Sequence, residues 1–529
     1  VDSTTAAGDV ISAPDPASAA GAILEVSLQG VTAGPHAATV MLNGQLVGTI
    51  SGFSDTGAGV MQFDASAAIQ SGDNTVSLLA TTSTDDMLVE HLSLIYQHSY
   101  TAENDALQFT APGGSNVVVN GFSNATVRMV DLTDSAAPVE LNVTPISAGG
   151  SFQATLPGAA NQTHTVYAFG DDAIATPSVT LHKPTRLVPI AGAANTLLIS
   201  NSTLLPAVTP LVKFRLKQKL HVKTYDIAQI YDEFNFGEKD PIAIKNFLAA
   251  TQTAKRPPHY VILVGDATYD PRGFLTNDAR HDLVPTALIN TAFFQAGSDG
   301  WYADFTNTGQ TTMAIGRLPG EAPSDVSSVI AKIIAYEQTA KFGNNFLLTS
   351  DFSNDAPTFE ADTDTLLPLL PTGANVTNVT RAPDDSNRPD LLAAINASPD
   401  LVNYIGHGNV QNWAADWLTT ADAPNFTNVA HPAFFSLMTC LSGYYIDTQE
   451  DDVAQSLLQA PGGAVAVWSS SGLTVPSSQT LADQMLYTEL FGSNPPLLGD
   501  AVRLAKNSSS DPDIQRTWNL MGDPETPLK

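Results

Sequence analysis

Six short runs of continuous apolar residues mark the chain from about Thr196 onward. Strands of a parallel sheet are buried on both faces, so they read as unbroken apolar runs. Segments with helical periodicity separate the runs, most clearly at 324–341, where Val326, Ile330 and Ile333 belong to one apolar face. The pattern predicts an α/β region with mostly parallel sheets covered by helices. The runs are residues 196–200, 260–264, 346–350, 401–405, 433–438 and 464–468.

Before about residue 190, apolar and polar residues alternate instead. Short runs with this period of two, separated by turn residues, are typical of antiparallel β-sandwiches. Asn43-Gly44 predicts a two-residue hairpin turn, and residues 1–21 are expected to form a flexible terminus. We predict β-sandwich modules at 1–100 and 101–190, a first α/β subdomain at 191–342 and a catalytic α/β subdomain at 343–529. The alternating runs are 22–28, 37–50, 74–80, 116–120, 127–132, 139–143 and 164–169.

Charge and composition exclude several classes of protein. The 529 residues include 53 acidic and 23 basic side chains, giving a net charge of −30 that would repel nucleic acids and anionic lipids. The apolar runs are shorter than the roughly 18 residues that a membrane span needs, so no span is expected. Cys440 is the one cysteine, so an internal disulfide cannot form. The motifs of zinc metalloproteases, P-loop proteins, serine hydrolases and dinucleotide-binding proteins do not occur in the sequence.

Residues able to carry out chemistry follow three of the predicted strands. Asp351, His407 and Cys440 lie within two residues of the ends of the runs 346–350, 401–405 and 433–438. In open α/β sheets, ligands bind in the crevice beyond the carboxyl ends of the strands. These three side chains are therefore expected to converge on one edge of the sheet.

A thiol and an imidazole at neighbouring strand ends could form a nucleophile and its base. A neutral imidazole can take the thiol proton, leaving a thiolate that attacks a carbonyl, and the amide of Gly408 could stabilise the oxyanion. Gly406 and Gly408 leave the imidazole of His407 uncovered and permit backbone angles that other residues resist. Two simpler interpretations stay open: Cys440 packs inertly in the core, and His407 caps a turn.

Asp351 is the candidate third member of this group. A carboxylate bonded to one imidazole nitrogen fixes the tautomer and orientation of the ring. Aspartate after a strand is also a common turn former, and Asp355 is close enough in the sequence to compete for the same role.

The region from about Thr196 to Lys529 resembles the gingipain family of cysteine peptidases, which shares a caspase-like α/β fold with caspases and legumain. The resemblance implies that His407 is the general base and Cys440 the nucleophile, with Asp351 as assisting acid. It also implies that the amides of Gly408 and Cys440 bind the oxyanion. The matching segments are "YDEFNFG" (231–237), "YVILVGDATYDPRG" (260–273), "GWYADF" (300–305), "AIGRLP" (314–319), "LVNYIGHGNVQNW" (401–413), "FFSLMTCLSGYY" (434–445) and "NLMGDPETPL" (519–528).

Substrate preference is predicted from one further position. In the arginine-cleaving members an aspartate downstream of the assisting acid lines the S1 pocket, and the ungapped count reaches Asp362. A carboxylate there would bind a basic P1 side chain through bidentate hydrogen bonds. The alternative is that Glu360, Asp362 and Asp364 form a solvated acidic run. The segment 469–479, where the S1 wall is expected, lacks the bulky aromatic residue of those members.

Calcium is the one metal that the resemblance brings into consideration. The family includes calcium-binding members, and Ca²⁺ takes several oxygen ligands. The loops with Asp266, Asp270, Asp299 and Asp304 lack a fixed ligand spacing, so a structural-turn role is favoured, although structural calcium stays open. No cofactor is expected to be required.

The two β modules are similar to those that precede the peptidase region in surface sortase-like members of the family. The combined interpretation is a secreted or cell-surface cysteine endopeptidase that acts on proteins or peptides. One alternative is a sortase-like transpeptidase that processes surface proteins. Another is a non-catalytic adhesin or scaffold with a vestigial peptidase fold.

Overall fold

The computed structural model describes residues 1, 6–83, 85–158, 162–181, 186–187, 194–275, 281–353 and 358–529. The chain divides into two compact units, Val1–Leu181 and His182–Lys529. The four-segment division predicted from the sequence stays a prediction, and its boundary at 190/191 lies outside the described residues. None of the helices within these ranges is both long and apolar enough to cross a membrane.

The first unit begins with an antiparallel β-sandwich. Its two sheets have the strand orders β1-β6-β3-β4 and β5-β2-β7. The predicted alternation is clear in β3, where Ala38, Val40 and Leu42 are buried in the shared core and their neighbours are partly exposed. The strands are β1 (Ala7–Ala13), β2 (Pro16–Gly30), β3 (Pro35–Leu42), β4 (Gln45–Ser54), β5 (Ala58–Asp64), β6 (Gly72–Ala80) and β7 (Met87–His98).

The start of this module differs from the expected flexible terminus. β1 pairs with β6 along its whole length, and β2 begins at Pro16. Backbone hydrogen bonds to β6 hold the small and polar residues of β1 in place, and no periodicity in the sequence records such pairing. The hairpin turn is confirmed, because Asn43 and Gly44 both have positive φ angles, 51° and 75°, as a type I′ turn requires.

A second antiparallel sandwich completes the first unit. Its sheets have the strand orders β11-β10-β14-β8 and β12-β13-β9, and they enclose a core that includes Phe109, Val119 and Met129. The strands are β8 (Ala106–Ala111), β9 (Val117–Phe122), β10 (Val127–Asp131), β11 (Val139–Leu141), β12 (Ile146–Ala148), β13 (Ser151–Leu156) and β14 (His164–Gly170).

The second unit is built on one ten-stranded sheet of order β16-β15-β17-β20-β26-β25-β24-β23-β21-β22. All neighbours are parallel except β25 and β26. Its strands are β15 (Thr196–Ser200), β16 (Val222–Asp226), β17 (Tyr260–Val264), β20 (Ala314–Leu318), β21 (Asn345–Ser350), β22 (Asn375–Thr380), β23 (Leu401–Ile405), β24 (Ala433–Met438), β25 (Ala464–Ser470) and β26 (Trp518–Met521), beside a separate hairpin of β18 (Ala287–Asn290) and β19 (Gln295–Ser298).

Helices cover both faces of this sheet, which explains the unbroken apolar runs. In β23, Val402 and Tyr404 belong to the core cluster on one face, whereas Leu401 and Ile405 belong to the cluster on the other. The predicted helix at 324–341 is confirmed as α4. The helices are α1 (Thr209–Lys217), α2 (Ile227–Phe234), α3 (Pro241–Thr251), α4 (Pro323–Thr339), α5 (Phe359–Asp364), α6 (Arg388–Asn396), α7 (Val453–Gln459), α8 (Pro476–Leu490), α9 (Leu498–Ser508) and α10 (Pro512–Thr517).

Candidate active site

Three neighbouring parallel strands, β21, β23 and β24, deliver the three predicted residues to one edge of the sheet. Ile405 is paired with Met438, and His407 and Cys440 each lie two residues beyond this pair. The amide of Asp351, which directly follows β21, donates to the carbonyl of Ile405 at 3.0 Å. Adjacent strands are about 4.8 Å apart, so the strand register alone brings the three backbones together.

Gly406 and Gly408 are required by close packing at this edge. A Cβ atom at position 406 would lie 2.5 Å from the Cβ of Asp351, and one at 408 would lie 2.4 Å from Oγ1 of Thr439 and 3.3 Å from the carbonyl oxygen of Cys440. Neither glycine is among the residues with positive φ. The unusual backbone angles expected from the sequence are therefore not the reason for glycine here. The two turns touch, and side chains would separate them.

His407 presents an exposed imidazole from a fixed backbone. Its amide donates to Oδ2 of Asp351 at 3.4 Å, and its carbonyl accepts from the Tyr404 hydroxyl at 2.7 Å and from the Ala414 amide at 2.9 Å. The ring packs edge-on against Phe359, with centroids 5.0 Å apart. Among the described residues, the ring nitrogens have no hydrogen-bond partner, so the imidazole is held by packing alone.

Asp351 is 1% exposed and binds the backbone of His407 rather than its ring. Its Oδ1 accepts from Nε of Arg381 at 2.6 Å and from the amide of Phe352 at 2.7 Å. The carboxylate is thus fully occupied by a cation and two amides. Its orienting effect on the imidazole stays a prediction, and the competing Asp355 lies outside the described residues.

Cys440 directs its sulfur toward the start of α8. Its Sγ lies 3.7 Å from the carbonyl oxygen of Thr474, to which the thiol donates, and 3.9 Å from Nε2 of Gln479. Burial raises the pKa of the Cys440 thiol, and the hydrogen bonds from these two residues offset part of that rise. No hydrogen bond joins the sulfur to the ring of His407 within the part of the chain that the structure describes.

Two backbone amides at the edge donate to no acceptor in the described ranges and could bind an anion. The amides of His407 and Asn409 donate to Asp351 and to the carbonyl of Asn412. The amides of Gly408 and Cys440, in contrast, donate to no acceptor among the described residues. Unpaired amides beside a nucleophile are the arrangement that stabilises an oxyanion.

Comparison with known proteins identifies the family. The model of peptidase family C25 matches residues 190–529. The chain belongs to peptidase family C25. Gingipain R2 of Porphyromonas gingivalis is 22% identical over 290 residues, which cover 50% of this chain and 37% of that protein. Gingipain R1 of the same species is also 22% identical over 290 residues, covering 50% of this chain and 27% of that protein. This chain therefore spans less than two fifths of the length of either relative.

Solved structures confirm the fold expected for a C25 member. The Arg-specific cysteine proteinase gingipain R (RgpB) aligns with a TM-score of 0.53 at 17% identity, over 64% of this chain and 78% of that one. Dimeric latent PorU from Porphyromonas gingivalis aligns with a TM-score of 0.57 at 14% identity, over 100% of this chain and 50% of that one. The gingipain resemblance and the predicted order of β sheets before an α/β region are both confirmed.

Asp362 of this C25 chain lies against α8. It is half-buried, its pKa is raised by burial, and a hydrogen bond from the Thr480 hydroxyl offsets part of that rise. The other two acids of the run differ: Glu360 accepts hydrogen bonds from Ser353, and Asp364 is exposed. The run is therefore not uniformly solvated, and Asp362 is its member beside the helix that touches the sulfur.

The four aspartates considered for calcium bind groups of the protein. Asp299 pairs with the buried Arg317 through both carboxylate oxygens, and Asp304 accepts from the amides of Thr308 and Gly309. Asp270 and Asp266 accept from backbone amides at 273–275 and 320. In the described ranges, no three His, Cys, Asp or Glu residues are grouped as metal ligands.

Residues missed by the sequence analysis complete the C25 site. Arg381 directly follows β22, so the same strand-end reasoning that selected Asp351 could have found it. Phe359 and Gln479 reach the site from the helices α5 and α8, and Thr474 reaches it from the loop before α8. Their positions depend on how α5 and α8 pack on the sheet, and no motif in the sequence records this.

Proposed function

We propose that this C25 chain is a cysteine endopeptidase that cleaves peptide bonds in proteins or peptides. The observation that carries the proposal is the register of β23 and β24, which sets His407 and Cys440 at equivalent positions beyond paired residues. The packed glycine turns and the two free amides beside the cysteine support the same function.

In the proposed reaction, His407 takes the proton from Sγ of Cys440, and the thiolate attacks the carbonyl carbon of the scissile bond. The amides of Gly408 and Cys440 bind the oxygen as it becomes negative. Protonated His407 then gives its proton to the leaving amine, and an acyl-enzyme remains. Water, deprotonated by His407, hydrolyses the thioester and restores the thiol. The cycle uses only groups of the chain and water.

Asp351 supports this reaction by fixing the turn that carries the base. Its contact with the amide of His407 and its ion pair with Arg381 hold the backbone of that turn. In the substrate complex, we propose that this fixed backbone keeps the imidazole within reach of the sulfur.

A basic P1 residue is the proposed preference. The half-buried carboxylate of Asp362 lies beside α8, and one of the structural relatives is described as an Arg-specific proteinase. The net charge of −30 also favours basic substrates.

We propose that the protein acts outside the cytoplasm, at the cell surface or after secretion. Structural calcium remains a further proposal. Its candidate ligands are oxygen atoms in the loops that contain Asp266, Asp270, Asp299 and Asp304.

Peptide-library cleavage by wild type, Cys440→Ala and His407→Ala tests the function. Both variants are expected to lose cleavage, whereas His91→Ala, which removes an exposed histidine from the first unit, should retain it. Undiminished cleavage by Cys440→Ala would refute the peptidase proposal. Product analysis with an added amine acceptor separates hydrolysis from the transpeptidase alternative. The scaffold alternative would be favoured by two results together. Wild type would not cleave peptides, and the thiol of Cys440 would be alkylated slowly and at the same rate in wild type and His407→Ala.

A further inference from the structure

Gln479 is a buried polar residue in contact with the reactive sulfur. It lies in the first turn of α8 and is 2% exposed. Its Nε2 lies 3.9 Å from Sγ of Cys440, 3.2 Å from the carbonyl oxygen of Thr474 and 2.9 Å from the Thr474 hydroxyl. The amide is thus part of the immediate surroundings of the nucleophile.

The carbonyl of Thr474 determines which way this amide faces. A carbonyl oxygen only accepts hydrogen bonds, so the nitrogen of Gln479, and not its oxygen, must face Thr474. The nitrogen carries two hydrogens. Three acceptors surround these two hydrogens, namely the carbonyl and hydroxyl of Thr474 and the sulfur of Cys440, so one hydrogen can reach the sulfur while the other serves Thr474.

A second buried side chain fixes the same face of α8. Asp483 lies one helical turn after Gln479 and is fully buried. It accepts from Nδ2 of Asn403 at 2.5 Å and from Oγ of Ser436 at 2.9 Å. Asn403 and Ser436 belong to β23 and β24, the strands that end at His407 and Cys440. Asp483 therefore ties the helix to the two strands that position the reacting groups.

The fold satisfies only part of the amide at position 479, because Nε2 bonds to Thr474. Oε1 of Gln479 is buried without a hydrogen-bond partner in the described part of the chain. A buried acceptor without a partner destabilises the folded state. A methionine of similar length would remove this unpartnered oxygen together with the Nε2 bonds to Thr474, so the substitution tests what the amide donor contributes.

We propose that Gln479 stabilises the thiolate of Cys440 by donating an Nε2 hydrogen to Sγ. The proposal rests on the peptidase function proposed above. When His407 removes the thiol proton, the charge left on Sγ strengthens this hydrogen bond. When the bond between Sγ and the substrate carbon forms, the charge passes to the carbonyl oxygen and the Nε2 contact weakens. The elements around the sulfur carry three other titratable groups. These are His407, which follows β23, Asp362 on α5, which contacts Thr480 of α8, and Asp483 on α8.

The pH dependence of iodoacetamide alkylation tests the proposal, because Cys440 is the only thiol. In Gln479→Met, the apparent thiol pKa is expected to rise by about one unit, a tenfold loss of thiolate below the pKa. Gln484→Met is the matched control, because Gln484 lies on α8 but bonds to Thr365, and its thiol pKa should equal that of wild type. The unfolding midpoint is measured as well, because a purely structural role through the bonds to Thr474 would lower the midpoint of Gln479→Met and leave the thiol pKa unchanged.

Gln479→Glu provides a second variant of nearly the same shape. Its carboxylate would face the thiolate, so the thiol pKa should rise at least as far as in Gln479→Met. If the methionine variant does not fold, the result for Gln479→Glu decides the test. A wild-type pKa in either folded variant overturns the role of Gln479. His407→Ala separates this failure from failure of the peptidase proposal. If His407→Ala has the alkylation profile of wild type, the peptidase proposal is contradicted. If His407→Ala alters the profile but Gln479→Met does not, only the role of Gln479 is contradicted.

Discussion

The two side chains proposed to react, at the ends of neighbouring strands, occupy opposite environments. The imidazole of His407 is exposed and held by the edge of Phe359, whereas the sulfur of Cys440 is partly buried against Thr474 and Gln479. Burial raises the pKa of the Cys440 thiol, which favours the protonated thiol in the absence of substrate. Proton transfer then belongs to the substrate complex.

Gly408→Ala tests whether close contact of the two turns is needed. The new Cβ would collide with Thr439 and press on the carbonyl of Cys440, so the turns must separate and the free amides must move. We expect kcat/KM for peptide cleavage to fall about a hundredfold, as for a misplacement on the order of 1 Å. Gly8→Ala, which meets only an ordinary contact, should behave as wild type. Equal activity in both variants would contradict the prediction.

Asp362→Asn tests the proposed preference for a basic P1 residue. Loss of the charge should reduce kcat/KM for peptides with P1 arginine about tenfold to a hundredfold, by removing one charge-assisted hydrogen bond. Peptides with a neutral P1 residue should be unaffected. Asp364→Asn is the control, because Asp364 is exposed on the same helix. A parallel loss on both peptide classes would indicate a structural role for Asp362 instead.

At the scale of elements, α8 connects Asp362, the proposed specificity side chain, to Cys440, the proposed nucleophile. Thr480 bonds Asp362, Gln479 touches the sulfur, and Asp483 holds the helix on β23 and β24. The anchoring carboxyl is fully buried, and desolvation raises its pKa from 3.8 to about 7. The helix is therefore held by a group whose charge state changes near neutral pH.

Asp483→Asn is expected to change stability in a pH-dependent way. Because the pKa of Asp483 is raised in the folded state, that state binds more protons than the unfolded state between about pH 4 and pH 7, and stability falls as pH rises through this interval. The stability of the variant relative to wild type should therefore increase by up to about 4 kcal/mol between pH 4 and pH 8, on top of a pH-independent loss of one of the bonds from Asn403 and Ser436. Urea denaturation at both pH values measures this, and an equal difference at the two would contradict it.

The strands that create the site were predictable because their burial on both faces leaves an unbroken apolar run. Three of the predicted runs match strands of the structure: 196–200 is β15, 401–405 is β23 and 433–438 is β24. The positions of His407 and Cys440 just beyond two of these strands were therefore predictable as well. β26 could not be predicted, because it is four residues long, contains the polar Asn519, and depends on pairing with distant strands. Gln479 escaped prediction because its contact depends on the seating of a helix, which hydropathy does not encode.

At the scale of the whole molecule, the excess of acidic residues is expected to influence the approach of the proposed substrates. A net charge of −30 gives a long-range attraction for cations that salt screens, with a Debye length of about 10 Å at 0.1 M ionic strength. Substrate encounter is thus expected to depend on charge far from the cleavage site.

Raising the salt concentration should reduce kcat/KM for lysine- and arginine-rich peptides while leaving kcat nearly constant. From 20 mM to about 500 mM sodium chloride, we expect a fall of about tenfold, because screening slows encounter and not chemistry. A peptide with the same P1 residue but no net charge serves as control. An equal loss for both peptides would show that salt acts on the enzyme itself.

The position of β26 has a consequence for biosynthesis. This strand lies between β20 and β25, yet it follows β20 by about two hundred residues in the chain. Until the chain has been synthesised as far as Met521, β20 and β25 each lack a neighbouring strand that they have in the finished protein. The sheet then has two additional open edges. Open edges pair readily with other chains, so β20 and β25 are expected to be exposed to mispairing until β26 takes its place.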